Sequence, residues 1–308
     1  MTAPPSVGVV IATRGRRPKS LRAATLAAVR QDYPGAVQVV VVADGGHELV
    51  VTVAGQLAGI VSETGADLRV LPNGGRPGLP GARNTGIAAL HTDLVAFCDD
   101  DDEWLPGKLA AQAAALAARP AAEFASCGIE VEYGTRRTVR LAGTDTITPA
   151  HLMRSRMVMV HSSTFVFRRE AALRVDESAP GGQNEDWDFA LRAAKRHPIA
   201  HVDRPLVRVR WGVSDYIAQW ADRIAGLQWM LARHTELAVD PRGAARIYGQ
   251  LAFAHAALGH RREACRWALR ASAARLAEPR AALALIVAAG LVSAHTVLHR
   301  LHSLGRGI

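Results

Sequence analysis

Four consecutive aspartates, Asp99 to Asp102, end an apolar run in the stretch LVAFCDDDDEWLPGKL. Adjacent carboxylates that leave a buried strand repel one another, at a cost on the order of a few kcal/mol per neighbouring pair near a protein surface. We therefore expect a positive group beside them. In an extended backbone, Asp99 and Asp101 project to one side and Asp100 and Asp102 to the other. Two carboxylates on one side can bind a hard divalent cation such as Mg²⁺ or Mn²⁺.

Helix capping is the alternative interpretation of these aspartates. A helix is predicted to start near Pro106, and acidic residues commonly precede helices. One cap uses one acidic side chain, so capping accounts for Asp102 or Glu103. It leaves Asp99 to Asp101 for another role, and the sequence therefore favours a metal site.

A second acidic group occurs in the stretch GGQNEDWDFALRAAKRH, where a helix is predicted to begin at Glu185 and Asp186. Asn184 can cap this helix, and acidic residues suit the positive first turn. The same carboxylates could equally serve as a general base. The residues alone leave both interpretations open.

The first hundred residues alternate short β-branched runs with helical patterns, which predicts an α/β fold with a parallel sheet and helices on both faces. The runs are continuously apolar, so we expect buried strands. Ligands bind at the carboxyl ends of such strands. The predicted strands are Val7 to Thr13, Val37 to Asp44, Asp67 to Pro72 and Leu94 to Asp99.

The rest of the chain divides into two parts. Residues 124 to 211 mix strand and helix patterns and are predicted to complete the same domain. After Gly212 the sequence is helical, and residues 245–276 read as two helices joined at Gly259-His260, similar to one tetratricopeptide hairpin. Residues 281–298 carry no full charge, and we interpret them as a buried helix pair rather than a membrane span. We thus predict a catalytic domain over residues 1–213 and a helical C-terminal extension over 214–308.

The order of these motifs resembles the family 2 inverting glycosyltransferases, which have the GT-A fold, a Rossmann-like mixed sheet. The resemblance covers about residues 5 to 212. It is carried by GLPGARNTGIAAL, by the Asp-x-Asp end of the fourth strand and by EWLPGKL after it. Where the family has Pro-Thr-Tyr-Asn and Asp-Asp-Gly-Ser at its first two strand ends, this chain has IATRG and VADGG.

The resemblance implies a role for each strand end. On the donor side, the nucleotide sugar would be bound by Thr13, Arg14, Asp44, Arg83, Asp99 and Asp100. Among them, the Asp44 carboxylate would accept a hydrogen bond from the base, and the Arg14 guanidinium would stack on that base in place of the family's tyrosine. Asp101 would be the direct ligand of Mn²⁺ or Mg²⁺.

On the acceptor side, the resemblance makes Asp186 the general base. Glu185, Trp187 and His161 would line the acceptor pocket, with Trp187 stacking on a sugar face. For Trp187 and His161 a structural role remains the alternative.

The expected reaction is metal-dependent inverting transfer of a sugar, as by a hexosyltransferase, from a nucleotide-sugar donor. A UDP-sugar is the expected donor. The acceptor would be a glycan, a small molecule or a peptide Ser, Thr or Cys side chain. Two alternatives stay open: a nucleotide-binding interaction protein with a helical recruitment tail, and a sugar nucleotidyltransferase.

Composition narrows the classes of partner. The formal net charge is +9, and residues 241–308 contribute +8 of it, from ten arginines and two glutamates. Aromatic residues make up only 5%, so stacking platforms for nucleic acid are scarce and we expect no nucleic-acid partner. Three scattered cysteines and the absence of a signal-peptide pattern at the N-terminus predict a cytoplasmic protein. The basic tail leaves peripheral contact with an anionic membrane open.

Overall fold

The computed structural model describes residues 3–211 and 219–303. Its strands are β1 (Val7–Thr13), β2 (Val37–Ala43), β3 (Asp67–Pro72), β4 (Leu94–Asp99), β5 (Glu103–Trp104), β6 (Phe124–Tyr133), β7 (Arg136–Arg140), β8 (Thr146–Ile147), β9 (Val166–Arg168) and β10 (Ile199–Arg210). Its helices are α1 (Pro18–Val29), α2 (His47–Thr64), α3 (Leu79–Ala89), α4 (Lys108–Ala118), α5 (Pro149–Arg154), α6 (Glu185–Arg196), α7 (Trp220–Arg233), α8 (Pro241–Ala257), α9 (Arg261–Ala274), α10 (Pro279–Ala288) and α11 (Ala294–Ser303).

These strands form one mixed sheet in the order β3-β2-β1-β4-β9-β6-β10-β5, with β7 beside β6 and β8 beside β10. The first four are parallel, and each is connected to the next by a helix. The α/β class and the parallel first half predicted from the sequence are therefore confirmed. The second half is mixed, because β9 runs antiparallel to both β4 and β6.

Burial of the strands follows their place in the sheet. β1 and β4 are central and almost fully buried, as their continuous apolar runs predict. The expectation that residues 67–72 are equally buried is wrong. β3 lies at the sheet edge, pairs only with β2 among the described strands and leaves alternate residues exposed.

The structure decides the helix-capping question at the aspartate run. Helix α4 begins at Lys108 after Gly107, and no side chain caps it. Asp102 instead points inward and is 3% exposed, while Glu103 belongs to β5. The expectation that Asp102 or Glu103 caps this helix is therefore wrong. Helix α6 begins at Glu185, as predicted.

Five phenylalanine rings pack together between the sheet and helix α6. Phe189 of that helix lies 5.2 to 5.9 Å, between ring centroids, from each of the other four. The four partners are Phe97, Phe124, Phe165 and Phe167. Because Phe189 follows Glu185 by one helical turn, this packing anchors the start of α6 against the sheet.

The C-terminal helices extend the core on one face of the sheet. Helices α8 and α9 form the predicted hairpin, with the turn at Gly259 and His260. Residues 281–298 fall in two short helices, α10 and α11, so the predicted pair is confirmed. The expectation that the pair is buried is wrong in part, because Leu285, Ile286 and Leu291 are exposed. Within the described part of the chain, every helix is too short or too polar to span a bilayer. The predicted domain boundary at residues 213 and 214 lies outside the described residues.

We expect the replacement Phe189→Ala to lower the free energy of unfolding by about 3 to 5 kcal/mol, because it leaves a cavity among four other rings. Urea denaturation measures this change. The matched control is Val51→Ala on the exposed face of α2, where the side chain is 58% exposed, and it should change stability by less than about 0.5 kcal/mol. Equal effects of the two replacements would contradict the packing described for Phe189.

Candidate functional site

The carboxyl ends of β1, β2 and β3 border an open cleft of about 480 Å³. At its centre, the Asp44 carboxylate contacts Arg14 Nε at 3.2 Å and accepts hydrogen bonds from Asn73 Nδ2 at 2.8 Å and from the Gly78 N–H at 3.0 Å. Burial alone would raise the pKa of Asp44, but these donors outweigh it and the pKa is lowered. Asp44 is therefore an ionised acceptor at neutral pH. The cleft is lined by Arg14, Arg16, Asp44, Gly45, Asn73, Gly75 and Pro77.

The aspartate run lies beside this cleft, at the end of β4. Asp100 accepts a hydrogen bond from Thr13 Oγ1 at 2.6 Å, and Arg17 forms ion pairs with Asp100 and Asp101. Asp99 pairs with Arg83. The expected positive groups are thus present as two arginines. Repulsion among the carboxylates is relieved by them and does not by itself require a metal.

Arg83 connects the two acidic groups that the sequence singled out. Its side chain is 3% exposed, and its two terminal nitrogens contact Asp99 at 2.6 Å and Glu185 at 2.8 Å. Burial alone would lower the pKa of Arg83, but the charges of Asp99 and Glu185 raise it above its ordinary value. The guanidinium lies beneath the strand ends, so the structure gives it a linking role that the sequence reasoning missed. Its contact with a nucleotide remains a prediction.

Asp99, Asp102 and His161 form a group whose ligand atoms all lie within 4.8 Å of one another. Burial raises the pKa of Asp102 to about 6. Two serine hydroxyls also bind here, Ser162 to Asp99 at 2.7 Å and Ser163 to Asp102 at 2.6 Å. One imidazole and two carboxylates are a donor set that suits Mn²⁺. The sequence reasoning expected Asp101 as the ligand and missed both Asp102 and the serines.

Asp186, the predicted general base, lies at the start of α6 and is 6% exposed. Arg156 Nη2 contacts its two oxygens at 2.9 and 3.0 Å, and the Trp187 N–H donates to Oδ1 at 2.8 Å. Burial alone would raise the pKa of Asp186, but Arg156 and other cations lower it. Asp186 is thus ionised at neutral pH, as a base must be. Nothing in the sequence pattern pointed to Arg156.

The neighbours of Asp186 differ in what they can do. Burial, and the charge of Asp186, raise the pKa of Glu185 to about 7. Trp187 is 1% exposed and its indole N–H donates to the Leu152 carbonyl at 3.1 Å. The prediction that Trp187 stacks on an acceptor sugar is therefore corrected, because stacking requires an accessible ring face and this ring lies in the core.

We expect Glu185→Gln to flatten the dependence of stability on pH. In the unfolded chain a glutamate has a pKa of about 4.3, below its value in the folded state, so the folded state binds more protons between the two values. The free energy of unfolding should therefore fall as pH rises from about 4.3 to 7. Urea denaturation at pH 5 and pH 7.5 measures this fall, which should be smaller in the variant.

Glu48→Gln is the control, because Glu48 is exposed on α2. In this variant the free energy of unfolding should fall between pH 5 and pH 7.5 by as much as in the unaltered protein. The same fall in the Glu185→Gln variant would contradict the burial assigned to this carboxyl.

Two solved structures share the fold of this chain along most of its length. The chain is similar to S. aureus TarS 1-349 in complex with UDP-GlcNAc, with 13% identity, a TM-score of 0.61 and coverage of 98% of this chain and 92% of the TarS 1-349 chain. It is also similar to the mannosyltransferase PcManGT from Pyrobaculum calidifontis in complex with GDP-Man and Mn²⁺, with 20% identity, a TM-score of 0.55 and coverage of 98% and 81%. No curated protein sequence matches the chain.

The likeness to solved structures bears on the fold, and the family match bears on the class of enzyme. The GT-A fold that the motif order predicted is confirmed. The model of the family described as "Glycosyl transferase family 2" matches residues 8–175, which is more than half of the chain. This chain therefore belongs to glycosyl transferase family 2.

Proposed function

We propose that the protein transfers a hexosyl unit from a nucleoside diphosphate sugar to an acceptor hydroxyl with inversion of the anomeric centre. The proposal rests on one observation. The guanidinium of Arg83 forms ion pairs both with Asp99 of the aspartate run and with Glu185, the neighbour of Asp186. A single buried side chain thus connects the carboxylates on the nucleotide-sugar side with the helix start that carries the candidate base. This arrangement supports inverting transfer, in which the leaving group and the base act on opposite sides of the same carbon.

The donor side combines a base contact with a place for the phosphates. The ionised Asp44 carboxylate is an acceptor only, so it suits the ring N–H of uracil. Guanine offers N–H groups to the same carboxylate, and the two structural relatives bind UDP-GlcNAc and GDP-Man, respectively. We propose a UDP-sugar as the first donor to test and a GDP-sugar as the second.

A divalent metal ion would be held by Asp101, with Asp99, Asp102 and His161 as the alternative ligand set. The second set fits a metal by its donor atoms and spacing, and a relative was solved with Mn²⁺. Asp101 is partly exposed and forms an ion pair with Arg17, which supplies the positive charge beside it. When bound, Mn²⁺ or Mg²⁺ supplies a Lewis acid that neutralises charge on the departing diphosphate.

The chain's own residues would carry the proton transfer. The acceptor oxygen forms a bond to the anomeric carbon as the bond from that carbon to the phosphate oxygen breaks, and its electron pair leaves with the nucleoside diphosphate. Asp186 takes the hydroxyl proton. Arg156 holds this carboxylate ionised and in place beforehand. A peptide Ser or Thr side chain would supply the same attacking hydroxyl, and a Cys side chain would attack through sulfur, with Asp186 taking the thiol proton.

We expect Asp186→Asn to lower kcat by about 10² to 10⁴ while donor binding stays within a few-fold of the unaltered protein. The reason is that an amide accepts no proton but preserves size and hydrogen bonding. Release of nucleoside diphosphate, with acceptor present, measures turnover, and calorimetry measures donor binding.

Asp67→Asn, at the exposed start of β3, is the matched control and should retain full turnover. Full activity of the Asp186 variant would exclude this residue as the base. Donor binding in the unaltered protein without turnover against any acceptor would instead favour the alternative of a nucleotide-binding interaction protein.

We expect UDP-sugar together with Mn²⁺ to raise the melting temperature of the protein, because a ligand bound only by the folded state stabilises it by mass action. In Asp101→Asn the part of the rise that depends on Mn²⁺ should disappear. Loss in Asp102→Asn, and not in Asp101→Asn, would place the ion among Asp99, Asp102 and His161. If both variants keep the full rise, the metal assignment is wrong.

A further inference from the structure

A cluster of arginines lies beside Asp186 and Trp187. We call Arg156, Arg223, Arg246 and Arg280 the basic cluster. Arg156 follows α5, and the other three come from α7, α8 and α10 of the C-terminal region. All four are half-buried, so each keeps some contact with solvent.

Close helix packing brings these arginines together. A Cβ at Gly243 would lie 2.2 Å from the Met153 carbonyl oxygen, so the first turn of α8 contacts the end of α5, just before Arg156. Arg246 is three residues after Gly243 and therefore on the same face of α8. Its guanidinium carbon lies 5.0 Å from the centre of the Trp187 ring. Arg246 thus lies beside the residue that follows Asp186.

Close helix packing also brings Arg280 and Arg223 towards Arg246 and Asp186. A Cβ at Gly249 would lie 2.7 Å from Arg280 Cβ, which places Arg280 one turn along α8 from Arg246. A Cβ at Gly226 would lie 2.6 Å from Gln183 Cβ, in the loop that leads to Asp186. Arg223 is three residues before Gly226 on that face of α7.

Two members of the basic cluster, Arg246 and Arg280, keep hydrogen-bond donors that no described residue satisfies. Arg156 pairs with Asp186, and Arg280 Nη1 pairs with Glu278 at 2.7 Å. Arg246 Nε and Nη2 and Arg280 Nε are buried and have no hydrogen-bond partner in the described part of the chain. Buried donors without a partner cost free energy, so a site of this kind requires a ligand or another compensation.

Burial and mutual repulsion lower the pKa of two members of the basic cluster. Burial, followed by the charges of Arg280 and Arg156, lowers the pKa of Arg246 to about 9. The same causes lower the pKa of Arg223 to about 10. Both guanidinium groups remain charged at neutral pH. An anion would satisfy the unpartnered donors of Arg246 and Arg280 and relieve the repulsion together, and the planar guanidinium fork matches the oxygens of phosphate.

We propose that the basic cluster binds the phosphate group of an anionic acceptor, whose hydroxyl then faces Asp186. This inference rests on the proposed function, since it assumes that the acceptor hydroxyl reaches Asp186. The donor diphosphate would lie by the aspartate run, which Arg83 connects to Glu185. The C-terminal helices therefore select the acceptor.

Calorimetric titration with glycerol 3-phosphate at constant ionic strength tests the proposal on the full chain, with uncharged glycerol as the matched probe. We expect the phosphate ester to bind and glycerol not to bind. The replacement Arg246→Met should weaken binding by at least about tenfold, because charged hydrogen bonds to the phosphate are lost. Arg246→Lys keeps the charge but loses the planar guanidinium, so its affinity should lie between that of the unaltered protein and that of Arg246→Met.

Arg262→Gln is the control, since it removes one positive charge at an exposed position of α9 and should leave the affinity unchanged. Equal affinity in the unaltered protein and the Arg246→Met variant would overturn the proposal. Competition between UDP with Mg²⁺ and glycerol 3-phosphate would also overturn it, because the arginines would then bind the donor phosphates.

Melting temperature in chloride buffer provides an independent measurement. Arg246→Met should melt at the same or a higher temperature, because it removes a buried charge that lacks a partner. A lower melting temperature would show that the guanidinium is held by structural contacts and would count against the site. Transfer of sugar to a phosphate-bearing acceptor that is unaffected by Arg246→Met would overturn this inference while leaving the proposed function intact. Binding of the phosphate ester without any transfer would do the reverse.

Discussion

The ion pairs of Arg83 are the interaction on which the candidate site depends. A guanidinium that is almost fully buried is stable only when its charge is matched, and Asp99 and Glu185 match it from two sides. These carboxylates belong to a strand end and to a helix start that are far apart along the chain. By joining them, Arg83 sets the relative position of the aspartate run and helix α6, and hence of Asp186.

Charge is distributed unevenly across this junction. On the side of the parallel strands, Asp44 and the aspartate run outnumber their arginine partners and make a site suited to cations. On the side of the C-terminal helices, Arg246 and Arg280 keep donors that no described residue satisfies, and this is where we propose an anion. Asp186 lies between them and is held ionised by Arg156. In the proposed reaction, donor and acceptor would thus meet opposite charges.

Packing explains why this arrangement can persist. Phe189 locks the first turn of α6 against four other phenylalanine rings, so the acidic residues of that turn have little freedom to separate from Arg83. The glycine contacts of α7, α8 and α10 hold the arginines close despite their repulsion. In both places apolar or close backbone packing opposes an unfavourable local charge, which is typical of functional sites.

The sequence by itself determined the features that depend on local pattern. Continuous apolar runs predicted the strands, helical periodicity predicted the C-terminal hairpin, and the parallel connection of β1 to β4 placed Thr13, Asp44 and Asp99 on one edge. Only the tertiary structure decided which side chains face inward. Asp102 and Trp187 looked like a cap and a stacking platform, yet both are buried, because neighbours distant in sequence surround them. Arg83 and the basic cluster join residues from separate elements, and such contacts leave no periodic trace in a single chain, since they arise when the helices and the sheet pack.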